Sequence, residues 1–269
     1  MRGRRSLLYN WLVSSDAPPR PWFRAVAVAD DLSDRLALAW AVDTDVAHDL
    51  VPDAHVDVVW LPDGSVQVCG PEVEGWTFQP LDGAEAVGVR FRPGHATPVL
   101  GTAMDEIRDQ RVLVEDLLGA HGRRLVEELG ELPDGTPPER RIAVVEEHIR
   151  RWVAEGGDVD PAVDRVAASL TGDPSLRVES LGRQLDLSER QLLRRCTVAF
   201  GYGPATLRPI LRLQRFLELA GQAHTDGRAP GLAELAEQAG YADQQHLARD
   251  ARSIARATPS ELVAERRDG

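Results

Sequence analysis

The sequence predicts an α+β multidomain protein with a small N-terminal β-barrel, a helical segment, and an all-α C-terminal domain that contains two helix-turn-helix units. Its 269 residues allow two domains of ordinary size, each of which can bury a core. Short apolar runs separated by turn residues fill the first part of the chain, as in β structure. Apolar residues spaced three or four apart dominate the remainder, and this spacing indicates helices.

Residues 1–101 are expected to form the β domain. Val56–Leu61 and Ser65–Cys69 are alternating runs that flank Pro62-Asp63-Gly64, a sequence typical of a hairpin turn. Further short strands are expected at Leu36–Val42, around Trp76 and at Ala86–Arg92. Several short strands joined by turns favour a small barrel or jelly roll.

Such a barrel can enclose a small, largely apolar ligand. The candidates for lining its cavity are strand residues: Trp40, Trp60, Cys69 and Trp76. The alternatives are an aromatic core for the tryptophans and a buried, inert thiol for the cysteine. The histidines lack the His-x-His pair with a following Glu that would indicate a barrel metal site, so neither a metal nor a cofactor is predicted.

Residues 102–174 are expected to form a helical connector and a candidate dimerisation segment. Pro138 and Glu139 begin a helix that runs to Glu155. Its apolar residues share one face: Ile142, Val145, Ile149, Trp152 and Val153. Such a face either pairs with a second subunit or covers the β domain of its own chain, and the sequence favours neither.

Two copies of one pattern organise residues 175–269. In the first copy, Ser188 is a favourable N-cap for a helix over Ser188–Phe200. In the second copy, Gly240 suits the position after a helix end, where a positive φ is needed, and Asp243 caps the next helix. The segment Thr206–Gln222 is so apolar that it predicts a buried helix joining the two copies rigidly.

Several spaced signatures follow one another in this region. They are Leu187-Ser188-x3-Leu192-x-Arg194, then Gly201-x2-Pro204, then the run from Ala236 to Arg249, and finally Thr258-Pro259. Together they resemble the DNA-binding domain of AraC/XylS-type transcription regulators.

The sequence departs from that family at three positions. Cys196 and Ala251 stand where the family usually has a core Phe, and Arg256 stands where it usually has Gly. The N-terminal part adds a second resemblance, because Val89-Arg-Phe-Arg-Pro-Gly94 is similar to the cupin-like domain that precedes many such DNA-binding domains.

The resemblance implies that the second helix of each copy enters a major groove and reads base edges there. The side chains expected to read bases are Arg190, Leu193 and Arg194 in the first copy and Gln244, Gln245, Ala248, Arg249 and Arg252 in the second. Those expected to contact phosphates are Arg183, Gln191 and Arg195. Arg suits the N7 and O6 atoms of guanine, and Gln suits adenine.

The charge is divided unevenly along the chain. The net charge of −12 disfavours nucleic-acid binding if the chain is taken as a whole. From Leu176 onward, however, there are 14 Arg and 12 acidic residues, whereas the first 175 residues hold 17 Arg and 31 acidic residues. The C-terminal part therefore tolerates DNA with a modest number of phosphate contacts, and the N-terminal part repels it.

Two functions of different class fit these patterns. The favoured one is a DNA-binding transcription regulator, not an enzyme, that a small molecule or a partner controls at the N-terminal domain. The other is a cupin-like small-molecule binding protein or enzyme with a vestigial helix-turn-helix. The expected partners are double-stranded DNA and an unknown effector, with RNA polymerase and a second copy of the chain left open. Two distant cysteines and the absence of a membrane-length apolar run favour the cytoplasm.

Overall fold

The computed structural model describes residues 6–8, 22–44, 47–78, 84–173 and 175–268. It has an N-terminal β-rich domain, followed by helices that end in a helical C-terminal domain. The strands are β1 (Ser6–Leu8), β2 (Phe23–Val26), β3 (Leu36–Thr44), β4 (His48–Leu50), β5 (Asp57–Trp60), β6 (Val66–Cys69), β7 (Trp76–Phe78), β8 (Ala84–Phe91) and β9 (Arg111–Leu113). The helices are α1 (Ala96–Leu100), α2 (Val114–Leu118), α3 (Ala120–Gly130), α4 (Pro138–Glu155), α5 (Pro161–Gly172), α6 (Val178–Gln184), α7 (Glu189–Phe200), α8 (Pro204–Thr225), α9 (Leu232–Gln238), α10 (Gln244–Ala255) and α11 (Pro259–Asp268).

The strands form two open sheets rather than one closed barrel within the residues just given. The larger sheet is antiparallel, with the order β2-β3-β8-β5-β6-β9, and the smaller has the order β1-β4-β7. Closure requires neighbouring strands of matched length and stagger. Each strand of the smaller sheet has only three residues. The smaller sheet therefore covers part of the larger sheet without joining the edges of the larger sheet.

The predicted hairpin is confirmed as the β5–β6 pair. Val58 lies opposite Val68, and the amide of Gly64 donates a 2.9 Å hydrogen bond to the carbonyl of Leu61. Gly64 has a φ of +83°, a conformation that a residue with a Cβ adopts only with strain. The turn therefore needs the glycine that the sequence supplies.

The β domain extends further along the chain than the expected boundary at Gly101. Arg111–Leu113, which was expected to be helical, is strand β9 at the edge of the larger sheet, with Val112 opposite Val68. Asp109 just before it has a φ of +57°, and a helix cannot continue through that left-handed conformation. The apolar spacing on which the helical prediction rested cannot reveal this interruption.

Helix α4 covers the sheet of its own chain. Ile142, Val145, Ile149 and Trp152 are buried in one core with sheet residues such as Phe91. Of the two alternatives for this apolar face, the structure therefore has the helix packed on its own β domain. No helix in the described ranges combines the length and apolar character needed to cross a bilayer.

The C-terminal domain is built around α8. Its 22 residues span about 33 Å at the usual rise, and α7, α9 and α10 all pack against it. Both predicted caps are present. Ser188 and Gln191 form a reciprocal capping box at α7, and Asp243 accepts a 2.6 Å hydrogen bond from the amide of His246 at α10.

The two domains share a core. Val51 and Ala54, in the segment between β4 and β5, belong to the same buried cluster as the residues of α8. Beside them, the Gln214 side chain donates a 2.6 Å hydrogen bond to the carbonyl oxygen of Pro52. Ala54 has a φ of +66°, so this docked segment holds one residue in a strained conformation.

A candidate DNA-binding surface and a candidate ligand cavity

Helix α7 presents one face to the core and another to solvent. Leu192 and Cys196 are buried, whereas Arg190 and Arg194 are exposed. Leu193 is 51% exposed, which is unusual for a large apolar side chain. The three residues expected to read bases from this helix therefore all lie on its accessible surface.

Helix α10 repeats this arrangement in the second unit. Leu247, Ala251 and Ile254 form its buried face. The residues expected to read bases are exposed, except Ala248, which is half-buried: Gln244, Gln245, Ala248, Arg249 and Arg252. A helix with this polarity can lie in a major groove while its apolar side remains on the domain.

The three expected phosphate contacts differ in how their side chains are engaged. Arg183 is exposed and donates a 3.1 Å hydrogen bond to Ser180 Oγ. Gln191 uses Oε1 in the capping box, which leaves its amide nitrogen as the atom that could reach a phosphate. Arg195 is about one-third exposed and forms an ion pair with Asp160, at the start of α5.

A buried cluster that the sequence patterns did not indicate fixes α10 to α8. Arg212 donates a 2.7 Å hydrogen bond to Asp250 Oδ2, lies 3.0 Å from His246 Nε2, and stacks over the ring of Tyr241 at 4.3 Å. Burial raises the pKa of Tyr241 well above its usual value. The apolar spacing of α8 hid Arg212, because that pattern says nothing about a charged residue inside a buried face.

The three departures from the family pattern have local explanations. Cys196 and Ala251 are fully buried, so smaller side chains fill these core positions. Burial also raises the pKa of the Cys196 thiol to about 12. Arg256 ends α10 with a φ of +56°, the conformation that a glycine there would adopt freely, and it forms a 2.6 Å ion pair with Glu74.

The N-terminal domain contains a cavity of about 520 Å³ that is lined by strands of both sheets. Trp40, Cys69 and Trp76, three of the four candidates, line it. Trp60 does not, because side chains alternate along β5 and Val59 takes the cavity side. Trp60 instead lies under the guanidinium of Arg141 on α4, 4.2 Å from it.

The base of the cavity is a buried network of charged groups. Arg90 donates to both oxygens of Asp57, at 3.0 and 2.9 Å, and to Asp53 at 2.6 Å. Trp40 Nε1 also donates to Asp57, at 3.1 Å. Burial would raise the pKa of Asp53, but Arg90 and His55 outweigh it and hold that pKa well below its usual range.

A second polar group lies where β7 faces β9. The guanidinium of Arg111 stacks on Trp76 at 3.6 Å and donates a hydrogen bond to Glu72 Oε1. Burial raises the pKa of Glu72 to about 8, although Arg111 opposes the shift. Trp76 Nε1 and Arg111 Nε are buried donors with no acceptor among the described residues.

The remaining cavity residues do not indicate catalysis. Burial raises the pKa of the Cys69 thiol to about 12, so this cysteine is not activated as a nucleophile. The described residues contain no group of three His, Cys, Asp or Glu side chains placed to hold a metal ion. His48, His55 and His95 instead have separate partners, which are Thr44, Asp53 and Asp164.

Two family models match separate parts of the chain. A domain of unknown function, DUF6597, matches residues 25–113, and a helix-turn-helix domain matches residues 181–265. The first match ends at the last residue of β9, as the β domain does. The second begins within α6 and ends within α11, so it contains both helix-turn-helix units. No curated protein matches the sequence.

Solved structures that match the chain include ToxT from Vibrio cholerae O395, with 10% identity, a TM-score of 0.47, and coverage of 91% of this chain and 98% of that one. ToxT bound to (E)-4-(8-methylnaphthalen-1-yl)but-3-enoic acid gives 11% identity, a TM-score of 0.48, and coverage of 91% and 99%. A probable AraC family transcriptional regulator from Rhodopseudomonas palustris CGA009 has 25% identity and a TM-score of 0.34, and the match covers 40% of this chain and 99% of that one.

The two matched domains coincide with the two parts of the fold. The N-terminal match covers the β domain with its cavity, and the C-terminal match covers two capped helix-turn-helix units joined by α8. The chain therefore joins a region that matches the DUF6597 domain to a region that matches a helix-turn-helix domain.

Proposed function

We propose that the protein is a sequence-specific, DNA-binding transcription regulator whose N-terminal cavity takes a small, largely apolar effector. The observation that carries the DNA-binding part is the pair of capped helices, α7 and α10, whose exposed faces are rich in Arg and Gln. Arg pairs with guanine and Gln with adenine through bidentate hydrogen bonds in the major groove.

The length of α8 supports binding to two successive grooves. Its 22 residues span about 33 Å, close to the roughly 34 Å of one turn of DNA. Buried Leu213 and Phe216 fix α8 in the core, so the two units move together. One chain would therefore contact two major-groove segments on one face of the duplex.

The DNA-binding proposal is tested by selecting duplexes from a random pool with the full chain. The expected result is an enriched, asymmetric sequence with two conserved segments about one helical turn apart. The alternative is a cupin-like binding protein or enzyme with a vestigial helix-turn-helix, and it predicts no enrichment. The exposure of Arg194, Gln245 and Arg249 supports the first outcome. A vestigial unit would not be expected to retain these side chains on the face that enters the groove.

The cavity supports a ligand with an apolar body and a hydrogen-bond acceptor at one end. Its aromatic side chains Phe23, Trp40 and Trp76 provide apolar surface, and its volume suits a small molecule. Two of its lining residues carry donors, Trp76 Nε1 and Arg111 Nε, that have no acceptor within the described part of the chain. An acceptor on the ligand would remove the penalty for leaving such donors unsatisfied.

The effector proposal is tested by a thermal-shift screen of small apolar acids, esters and ketones. A matching compound should raise the melting temperature of the wild type and should change its affinity for the selected duplex. Val59→Phe, which places a larger side chain in the cavity, should abolish both effects. Compounds that stabilise the wild type and this variant equally bind elsewhere, and that result would reject the cavity as the effector site.

The proposal assigns no catalytic reaction and no cofactor to the chain. Its partners would be double-stranded DNA and the effector. Its protein partners would be RNA polymerase and a second copy of the chain, and the protein would act in the cytoplasm. The apolar face of α4 is already buried against its own sheet, so a dimer would use another surface. Sedimentation of the full chain at micromolar concentration, with and without the selected duplex, tests whether two copies associate.

A further inference from the structure

A carboxylate at the start of α5, in the segment between the two domains, contacts α7. Asp160 is the N-cap of α5, and its Oδ1 accepts a 2.9 Å hydrogen bond from the amide of Ala162. Its other oxygen, Oδ2, forms an ion pair with Arg195 of α7. One aspartate therefore both caps a helix and neutralises an arginine on the candidate DNA-binding surface.

The cleft around this ion pair contains a second carboxylate, that of Asp158, and lies beside Arg194, which is expected to read bases. Asp158 and Asp160 line one cleft together with Arg194 and Arg195, and residues of the N-terminal domain such as Thr97 complete it. Thr97 Oγ1 and the amide of Met104 both donate hydrogen bonds to the carbonyl of Val198, at 3.1 and 2.8 Å. The N-terminal part of the chain thus binds α7 through these hydrogen bonds and also places the negative charge of Asp158 and Asp160 beside α7.

We propose that Asp160 competes with DNA phosphate for Arg195 and so restrains DNA binding by the first helix-turn-helix unit. This inference rests on the proposed DNA-binding function. A carboxylate and a phosphate offer an arginine the same kind of charge-assisted hydrogen bond, so Arg195 cannot satisfy both fully at once. DNA would bind this unit only after phosphate displaces Asp160.

The partial exposure of the pair makes such displacement feasible. Both side chains are about one-third exposed, and ion pairs of this kind are weak and screened by salt. The restraint is therefore modest, roughly twofold to fivefold in affinity, and it declines as salt rises. A fixed positioning role is the competing explanation, in which Asp160 orients Arg195 in the DNA complex as well.

The test uses Asp160→Asn in the full chain. Asparagine caps helices as well as aspartate does, so α5 keeps its N-cap while the charge is removed. The control is Asp173→Asn, which removes one charge at an exposed turn, where the Asp173 carboxylate accepts hydrogen bonds from the amide and the hydroxyl of Ser175. The probe is a fluorescent duplex of arbitrary sequence about four helical turns long, because phosphate contacts do not depend on sequence.

Competition predicts that Asp160→Asn binds the duplex roughly twofold to fivefold more tightly than Asp173→Asn at low salt. The gain should shrink at high salt, where the ion pair is already screened. It should vanish when Arg195→Gln is present in both backgrounds, since no arginine then remains to be released. These three results together support the proposal.

Equal affinity of Asp160→Asn and Asp173→Asn, or weaker binding by Asp160→Asn, would overturn the competition. In either case measurable binding by the wild type leaves the DNA-binding function intact. A gain that persists with Arg195→Gln would also overturn it, because the effect would then come from general charge. If no variant and no wild-type protein binds the duplex at any salt concentration, the proposed function itself fails.

Discussion

The side chain of Gln214, in the middle of α8, donates a 2.6 Å hydrogen bond to the carbonyl oxygen of Pro52. Pro52 lies in the segment between β4 and β5, and its neighbour Asp53 binds Arg90 at the base of the cavity. One hydrogen bond thus connects the helix that joins the two DNA-binding units with the wall of the ligand cavity. The proposed effector site and α8 are therefore adjacent through this segment.

Replacing Gln214 should destabilise the protein. Gln214→Leu leaves the carbonyl of Pro52 buried without its donor, and such a loss costs about 1–3 kcal/mol. Urea titration followed by tryptophan fluorescence measures the change in unfolding free energy. The matched control is Gln222→Leu, at an exposed position of the same helix, which should change that free energy by less than about 0.5 kcal/mol. Equal effects of the two substitutions would show that the hydrogen bond contributes nothing.

The buried carboxyl of Glu72 should make stability depend on pH. Its pKa is raised from 4.5 to about 8 in the folded protein, so the folded state keeps a proton that the unfolded state releases. This contribution to stability is fully present below pH 4.5 and is lost as pH rises through about 8. The wild type should therefore lose stability between these limits relative to Glu72→Gln, whose amide cannot ionise.

The measurement is the urea midpoint of the wild type and Glu72→Gln at acidic, neutral and alkaline pH. The difference between them should be small near pH 5 and should favour Glu72→Gln increasingly towards pH 8. Glu131→Gln, at an exposed position, is the control and should follow the wild type throughout. A constant difference across the range would mean that Glu72 is ionised in the folded protein.

Substitutions at Arg256 can separate the energetic cost of backbone strain from the contribution of the ion pair. Its left-handed conformation costs roughly 1–2 kcal/mol for a residue with a Cβ, whereas the exposed pair with Glu74 contributes about 0.2–1 kcal/mol. Arg256→Gly should therefore be more stable than Arg256→Ala, which loses the ion pair and keeps the strain. Thermal unfolding of both variants measures the difference, and an alanine variant as stable as the glycine variant would refute the strain.

The features predicted correctly from the sequence are those encoded by neighbouring residues. Ser188 and Asp243 are each separated by only three positions from the amides they cap, and Gly64 lies within the hairpin turn it allows. Periodicity also located the buried helix α8, because an apolar face repeats along it. These elements could be predicted because the interactions that form them are local.

The features that were missed depend on contacts between distant parts of the chain. Arg195 and Asp160 are 35 positions apart, and their pairing follows from how α5 packs beside α7. Trp60 was placed in the cavity because its residue type suits one, although strand alternation alone would have assigned it to the opposite face from Val59. The open arrangement of the two sheets could not be predicted either, because the length of each strand depends on the strands with which it pairs.

Sequence-specific DNA binding through both recognition helices is the central claim. The most direct test compares the affinity of the wild type, Arg194→Ala and Arg249→Ala for the selected duplex and a scrambled duplex of the same composition, with Arg123→Ala on α3 as the charge-matched control. We predict that the wild type binds the selected duplex on the order of 10³-fold or more tightly than the scrambled one. Each recognition variant should lose about 1–3 kcal/mol on the selected duplex only, and Arg123→Ala should lose none. Equal affinity of the wild type for the two duplexes would contradict the claim.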